Sequence, residues 1–157
     1  MKNKILLYLS ILLVLVWMVI IYFFSATSAD KSNDGSKGIL REVISFIYPD
    51  KSDEEIEIYV TKLNKPFRKL AHASVYFVLA NFVCSVVYCF KKDMFLRYFI
   101  TLIICFLYAL SDEWHQTFVS HRTGQFSDVL IDFGGVIIGC LVFNFIYKFV
   151  KKKSLNY

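Results

Sequence analysis

Long apolar runs separated by short polar segments dominate the chain. The first run covers residues 5–24, where Ser10 is the one polar residue. At about 1.5 Å of rise per residue, a helix of this length crosses a hydrocarbon core about 30 Å thick. Three similar runs follow, although each contains a few polar residues. The pattern predicts an all-α integral membrane bundle of four transmembrane helices, with spans at approximately 5–24, 68–90, 95–116 and 128–150.

Composition supports this interpretation. Of the 157 residues, 57% are hydrophobic and 18% are aromatic, which is more apolar than an ordinary soluble domain of that length. The formal charge of +5 would suggest nucleic acid in a soluble protein, but the basic residues flank the apolar runs, so we expect no nucleic-acid partner. Cys84, Cys89, Cys105 and Cys140 lie inside the predicted spans, without the spacing of a zinc site or a loop disulfide, and we interpret them as packing residues.

The first run also has features of a secretory signal peptide, because lysines precede it and the small residues 26–29 follow it. Secretory hydrophobic cores are about 7–15 residues long, and this run is longer. We therefore expect a retained transmembrane helix.

The distribution of basic residues predicts the topology. The two termini and the short segment 91–97 carry an excess of lysine and arginine, whereas residues 25–66 contain eight acidic and six basic residues. Cytoplasmic loops of membrane proteins are enriched in lysine and arginine. We therefore expect both termini in the cytoplasm, with segments 25–66 and 111–128 on the extracytoplasmic side.

The outer segment 25–66 has helical features. Its first part, 30–38, is polar and rich in turn-forming residues, and Pro49 separates two amphipathic stretches that follow. The second stretch begins with Ser52 and Glu55 at the spacing of a capping box. We expect two short amphipathic helices at the membrane surface or over the bundle.

Ionisable residues gather at the predicted outer ends of three spans. Such groups are costly near hydrocarbon, so each needs a partner, water or a function. At the start of the second span, Lys69, His72 and Tyr76 are spaced to share one helix face. In the fourth span, Gly135 and Gly139 would let a neighbouring helix approach closely. The outer polar set comprises Arg68, Lys69, His72, Tyr76, Asp112, Glu113, Gln116, Arg122, Asp128 and Asp132.

Helix dipoles would favour contact between these ends if the ends met. Lys69 lies at the positive end of the second span, and Asp112 lies near the negative end of the third. Each charge is disfavoured by its own helix and would favour the other. Ser25, which ends the first span, would reach the same face. Two interpretations follow: an ion-pair network that joins helices, or a site that binds or transforms a molecule of the outer leaflet.

The chain resembles the VanZ-like family of bacterial membrane proteins in three separated motifs. They are Arg68-Lys69-x-x-His72-x-x-x-Tyr76, Ser111-Asp112-Glu113-x-x-Gln116-x-Phe118, and Arg122 followed by Asp128-x-x-x-Asp132-x-x-Gly135. The resemblance covers about residues 1–150, and its specific motifs lie within 67–139. The chain departs from the family pattern at Val75, where many relatives have Glu, and at Asp132, where they often have Asn.

The resemblance implies a single VanZ-like membrane domain over residues 1–157 and a role in the cell envelope. The family is named for a member that raises the resistance of Gram-positive bacteria to teicoplanin, a lipid-bearing glycopeptide antibiotic. A similar role here would give the chain two kinds of partner: the lipid bilayer, and either an envelope lipid or polymer or the lipoglycopeptide itself.

Three functions remain open from the sequence. The first is an enzyme acting on an envelope lipid or polymer, for which the catalytic candidates are Lys69, His72, Asp112, Glu113, Gln116 and Asp128. The substrate-binding candidates are Arg68, Tyr76, Arg122 and Asp132, and cations of this set would bind phosphate or carboxylate. The cofactor is undetermined; a divalent metal would take ligands from Asp112, Glu113, Asp128, Asp132 and His72.

The second function is a non-catalytic shield that holds the lipid tail of the antibiotic or an envelope lipid. The third is an accessory subunit of a larger envelope complex. Saturable binding without turnover would favour the second, and co-purification of a partner protein would favour the third. The sequence leaves the oligomeric state open.

Overall fold

Five α-helices account for nearly all of the described chain. The computed structural model describes residues 2–90 and 93–154, and within these ranges it contains no β-strand. The helices are α1 (Lys2–Ser25), α2 (Ala29–Ile47), α3 (Asp53–Phe90), α4 (Met94–Gln116) and α5 (Phe126–Ser154). The predicted all-α fold is confirmed. Lys91 and Lys92, which enter the topology prediction, lie outside the described residues.

Four of the described helices, α1, α3, α4 and α5, are long and apolar enough to cross a membrane. Many of their apolar side chains are exposed, such as Leu12 and Leu15 on α1, and would contact lipid. The predicted number of spans is confirmed, and the bounds of α1, α4 and α5 agree with the prediction within a few residues. The chain is a multi-pass membrane protein.

The second outer helix and the second span, expected as separate helices, are one continuous helix. Instead of a short outer helix followed by a span from residue 68, α3 runs without interruption for 38 residues and contains Pro66. At about 1.5 Å per residue it is about 57 Å long, well beyond the thickness of a membrane core. Phe67, directly after the proline, packs against the buried cluster of Leu40, Ile44, Ile56 and Val60, which joins α2 to this part of α3.

The start of α3 has the predicted cap. The backbone N–H of Glu55 donates to Ser52 Oγ at 3.4 Å, and the backbone N–H of Ser52 donates to Glu55 Oε2 at 3.2 Å. This reciprocal pair is a capping box, which satisfies two backbone donors that have no partner within the helix. The capping prediction is confirmed.

The stretch 30–38 is helical rather than turn-rich, because α2 covers it entirely. Ser36 Oγ donates to Asn64 Oδ1, and Asn64 Nδ2 donates to Asn33 Oδ1, so polar side chains join this part of α2 to α3. Further along, Leu40 and Ile44 are buried against α3. Tertiary contacts therefore override the weak helix propensity of the glycine- and serine-containing segment.

The helix α3 is the centre of the bundle and contacts each of the other four helices. Its closest neighbour is α5, because a Cβ atom on Gly135 would collide with the backbone of Ala73, and one on Gly139 would lie 2.6 Å from the carbonyl oxygen of Phe77. The predicted close approach at these glycines is confirmed. This contact brings Asp132, one turn before Gly135, beside α3.

Candidate functional site

Polar side chains from four helices meet where α1 and α4 end and α5 begins, which we call the site end of the bundle. Ser25 Oγ donates to Asp112 Oδ2 at 2.8 Å, joining the ends of α1 and α4. Gln116 Nε2 lies 3.3 Å from both Ser25 Oγ and Asp112 Oδ2. All three side chains are buried. The structure therefore brings two of the predicted catalytic candidates, Asp112 and Gln116, into one network.

Arg122 extends this network towards the surface. Its Nη1 donates to Gln116 Oε1 at 2.7 Å, and its Nη2 lies 3.5 Å from the carbonyl oxygen of Phe24. Burial, and next the positive charge of Arg68, lower the pKa of the Arg122 guanidinium. An arginine remains protonated at neutral pH even so. Two half-buried cations, Arg68 and Arg122, thus face the same region.

Glu113 is held by the loop that follows α4. Its Oε1 accepts a 2.6 Å hydrogen bond from the backbone N–H of Gln125, and the side chain is buried. Gly124 fits closely at the same place, because a Cβ atom there would lie 2.6 Å from Thr117 Cγ2. Glu113 therefore fixes the loop 117–125, while its predicted catalytic role stays a prediction.

Lys69 and Asp128 join α3 to the start of α5. Lys69 Nζ lies 3.2 Å from Asp128 Oδ1, and both side chains are more than a third exposed. An exposed pair of this kind stabilises a protein by about 0–1 kcal/mol. The predicted meeting of charges from different helices is therefore present, although Lys69 pairs with Asp128 rather than with Asp112.

Tyr76 and Asp132 form the deepest part of the site. Tyr76 is 1% exposed and Asp132 is 2% exposed. The Tyr76 hydroxyl and Asp132 Oδ1 have no hydrogen-bond partner among the described residues. Both groups interact electrostatically with Asp112. A buried polar atom without a partner costs about 1–3 kcal/mol, and a role for Tyr76 and Asp132 beyond packing stays a prediction.

Two adjoining concave regions open at the site end. The polar cavity has a volume of about 400 Å³, and its lining includes Asn64, Lys65, Lys69, Gln125 and Asp128. The apolar groove has a volume of about 450 Å³, and its lining includes Ile21, Phe24, Gly35, Ile39, Phe67 and Val75. Arg68, His72 and Arg122 line both regions. The polar cavity and the apolar groove therefore meet at three residues predicted from the sequence.

His72 lies at this junction, and its ring interacts electrostatically with Arg122, Asp112, Asp128 and Arg68. Of the other two histidines, His121 lines the polar cavity alone, and His115 lines neither region. His115 stacks on Tyr22 with ring centroids 4.6 Å apart, and His121 Nδ1 lies 2.6 Å from Asp30 Oδ2 at the surface. His72 is therefore the one histidine that lines both concave regions.

The predicted site set is incomplete without three residues. Ser25 and Gln125 hold the carboxylates of Asp112 and Glu113, and Lys65 lines the polar cavity. Lys65 had a detectable signal, because it precedes Lys69 and His72 by four and seven residues and so shares their helix face. No such signal exists in the sequence for Gln125, because Gln125 contacts Glu113 through its backbone N–H and not through its side chain.

The predicted metal candidates are not gathered into a ligand set. Among the residues that the structure describes, no group of three or more His, Cys, Asp or Glu side chains could hold a metal ion. Asp112 and Glu113 each accept a hydrogen bond from another residue of the protein, and Asp128 pairs with Lys69. A divalent metal stays a prediction.

Comparison with known proteins identifies the family. No curated protein and no solved structure shows significant similarity to the chain. A sequence model of the VanZ/LLP1 family matches residues 10–147, a range that contains all of the predicted site residues. The chain therefore belongs to the VanZ/LLP1 family, as the three motifs predicted.

Proposed function

We propose that the site end binds an amphiphilic lipid of the cell envelope, with its headgroup in the polar cavity and its chain in the apolar groove. The observation that carries this proposal is that Arg68, His72 and Arg122 line both regions. One molecule can therefore occupy both at once. A ligand with a charged end and an apolar end matches this division, because each end replaces water with contacts of its own kind.

We further propose that the site end faces the extracytoplasmic side and that the opposite end is cytoplasmic. The excess of lysine and arginine at the two termini supports this orientation. The opposite end also contains Arg97, whose guanidinium lies 4.8 Å from the Tyr88 ring centroid and 5.3 Å from that of Tyr147. A cation over an aromatic ring is attracted to it, so Arg97 is held by these contacts at the opposite end.

Holding an envelope lipid would link the chain to resistance against lipid-bearing glycopeptides such as teicoplanin, which act at the outer face of the membrane. A second candidate is direct retention of the antibiotic's lipid tail, which the apolar groove would also accept. The two candidates predict different protection against glycopeptides that lack a lipid tail. Direct retention predicts no protection against glycopeptides that lack a tail, whereas an effect through an envelope lipid predicts protection against both kinds.

Catalysis on the bound lipid is a further candidate, since His72 lies where the headgroup and the chain of such a ligand would meet. The predicted catalytic roles of Lys69, His72, Asp112, Glu113, Gln116 and Asp128 are part of this candidate. Turnover of a bound lipid by purified protein, lost in His72→Gln with binding retained, would favour it over simple binding.

Lipid binding can be tested with a substitution that places a larger side chain in the apolar groove. Gly35 lines the apolar groove, and nothing lies within 4 Å of a Cβ atom placed on it, so Gly35→Leu adds apolar volume without a backbone clash. Gly38 is the matched control, because it lies on the same helix with equally open space but does not line the groove. We expect Gly35→Leu to lose co-purified envelope lipid and teicoplanin protection, and Gly38→Leu to retain both. Equal behaviour of the two variants would overturn the proposal.

A further inference from the structure

Resting on the proposed lipid-binding function, we infer that the bound lipid carries a terminal phosphate monoester, which the polar cavity holds between Lys65, Arg68 and Arg122. The chemical class is thus an anionic phospholipid with a single-phosphate head, rather than a neutral or zwitterionic lipid. Three features point to this class of ligand: the charge balance of the polar cavity, the repulsion between two arginines in its lining, and its position beside the apolar groove.

The charge balance of the polar cavity is strongly positive. Its described lining contains four cationic side chains, Lys65, Arg68, Lys69 and Arg122, and one carboxylate, Asp128. Asp128 pairs with Lys69 at 3.2 Å. The other three cations form no ion pair with a carboxylate among the described residues.

The nearby buried carboxylates do not neutralise these cations by contact. Asp112 accepts from Ser25 and Gln116, and Glu113 accepts from the backbone of Gln125. Neither side chain lines the polar cavity. Both act on Arg122 only at longer range, where the interaction is weaker than a direct contact.

The guanidinium groups of Arg68 and Arg122 line the polar cavity and repel each other. An anion bound beside both groups would relieve this repulsion. Charge-assisted hydrogen bonds from arginine to phosphate are among the strongest that proteins form.

A phosphate monoester matches this set better than other headgroups. It carries about −1.5 to −2 charges at pH 7 and offers three acceptor oxygens, whereas a carboxylate has one charge and two oxygens. A zwitterionic headgroup would add a cation to a region that already contains three cations without a carboxylate partner in the described part of the chain. Arg68 and Arg122 also line the apolar groove, which places the phosphate next to an apolar chain and favours a lipid over a free anion.

The test measures binding by the purified full-length protein in detergent micelles with four probes. They are dioleoyl phosphatidic acid, dioleoyl phosphatidylcholine, dioleoylglycerol and inorganic phosphate. We expect phosphatidic acid to bind at least about tenfold more tightly than each of the others, since losing one charge-assisted contact has about this effect. Equal binding of phosphatidic acid and phosphatidylcholine, or equal binding of phosphatidic acid and inorganic phosphate, would overturn the inference.

Substitutions of single cations test whether the polar cavity causes the preference for phosphatidic acid. Lys65→Gln and Arg68→Gln each remove one cation from the polar cavity, and Lys65 is exposed, so its replacement leaves the fold intact. Lys62→Gln is the matched control, because Lys62 is exposed on the same helix and lines neither region. We expect the phosphatidic acid preference to fall about tenfold in the first two variants and to persist in Lys62→Gln. An unchanged preference in both Lys65→Gln and Arg68→Gln would overturn the inference.

Failure of this inference is distinguishable from failure of lipid binding itself. If all three lipids bind equally and Gly35→Leu abolishes their binding, the phosphate assignment is wrong and the proposed function stands. If no lipid binds in a manner that depends on Gly35, the proposed function is wrong as well.

Discussion

Ser25 at the end of α1 donates a 2.8 Å hydrogen bond to Asp112 near the end of α4, across 87 residues of sequence. The contact is buried and joins two helices that otherwise have few contacts with each other. Because Gln116 bonds the same Asp112 oxygen, one carboxylate holds two donors and connects the site end to Arg122.

The first prediction concerns this hydrogen bond. We expect Ser25→Ala to lower the free energy of unfolding by about 1–3 kcal/mol, because it removes a donor from a buried carboxylate. Ser74→Ala is the control, since Ser74 is exposed and bonds only the backbone of Leu70 on its own helix. Unfolding by denaturing detergent would measure both. Equal stability of the two variants would show that the buried contact contributes nothing.

The second prediction concerns helix packing. Gly135→Ala places a Cβ atom against the backbone of Ala73, whereas a Cβ atom on the adjacent Gly134 has nothing within 4 Å. Overpacking of this kind is destabilising by about 1–3 kcal/mol, and a backbone neighbour gives little room for adjustment. We therefore expect Gly135→Ala to unfold more readily than wild type and Gly134→Ala to be as stable as wild type or more so. The same detergent titration would check it, and a stable Gly135→Ala protein would contradict the α3–α5 packing.

Much of the fold follows from the sequence, and the exceptions have physical causes. The lengths of the apolar runs predict four spans, and the Ser52–Glu55 spacing predicts the cap of α3. The continuity of α3 through Pro66 was not predictable, because a proline inside a helical pattern ordinarily ends or kinks the helix. The helical state of residues 30–38 was missed because it depends on Asn64, far along the chain.

The sequence predicts which polar residues belong to the site, but it does not predict the polar cavity and the apolar groove that they line. The three motifs identify the polar residues, and their positions at helix ends predict that they meet. The polar cavity and the apolar groove depend on how α2 lies against α3, which no local pattern specifies. Lys65 was missed because it precedes the predicted start of the span at residue 68, although it belongs to the same continuous helix.

The third prediction separates two roles of Glu113. Gln in place of Glu keeps the carbonyl oxygen that accepts from the Gln125 backbone, whereas Ala removes it. If Glu113 fixes the loop, Glu113→Gln remains folded and active, and Glu113→Ala loses about 1–3 kcal/mol of stability. Thermal unfolding and teicoplanin protection would be measured together. Loss of protection in a stable Glu113→Gln protein would instead indicate that the carboxylate takes part in chemistry.

The fourth prediction concerns the one carboxylate in the described lining of the polar cavity. Asp128→Asn removes a negative charge and frees Lys69, so we expect phosphatidic acid to bind roughly threefold more tightly. Asp34→Asn is the control, because Asp34 is exposed on α2 and lines neither region. Titrations at low and high salt would measure the effect. Weaker binding after Asp128→Asn would show that this carboxylate contacts the ligand favourably.

The fifth prediction concerns orientation. Thr123 is exposed in the loop at the site end, and Cys89 is exposed near the opposite end of α3. In intact cells, a thiol reagent that cannot cross membranes should label Thr123→Cys in a Cys89→Ser background and should leave wild-type Cys89 unlabelled. Permeabilised cells provide the control for reactivity. The reverse labelling pattern would place the site end in the cytoplasm.

The central claim is that the site end binds a lipid, and the most direct test is to map the residues that a bound lipid contacts. A phosphatidic acid analogue with a photoreactive acyl chain, cross-linked to the protein in membranes, would be mapped by peptide mass spectrometry. We predict labelling of the apolar groove at residues 35–39 and 71–76, lost in Gly35→Leu and competed by unlabelled phosphatidic acid. Labelling confined to the exposed outer face of α1, around Leu12 and Leu15, without competition would contradict a lipid-binding site.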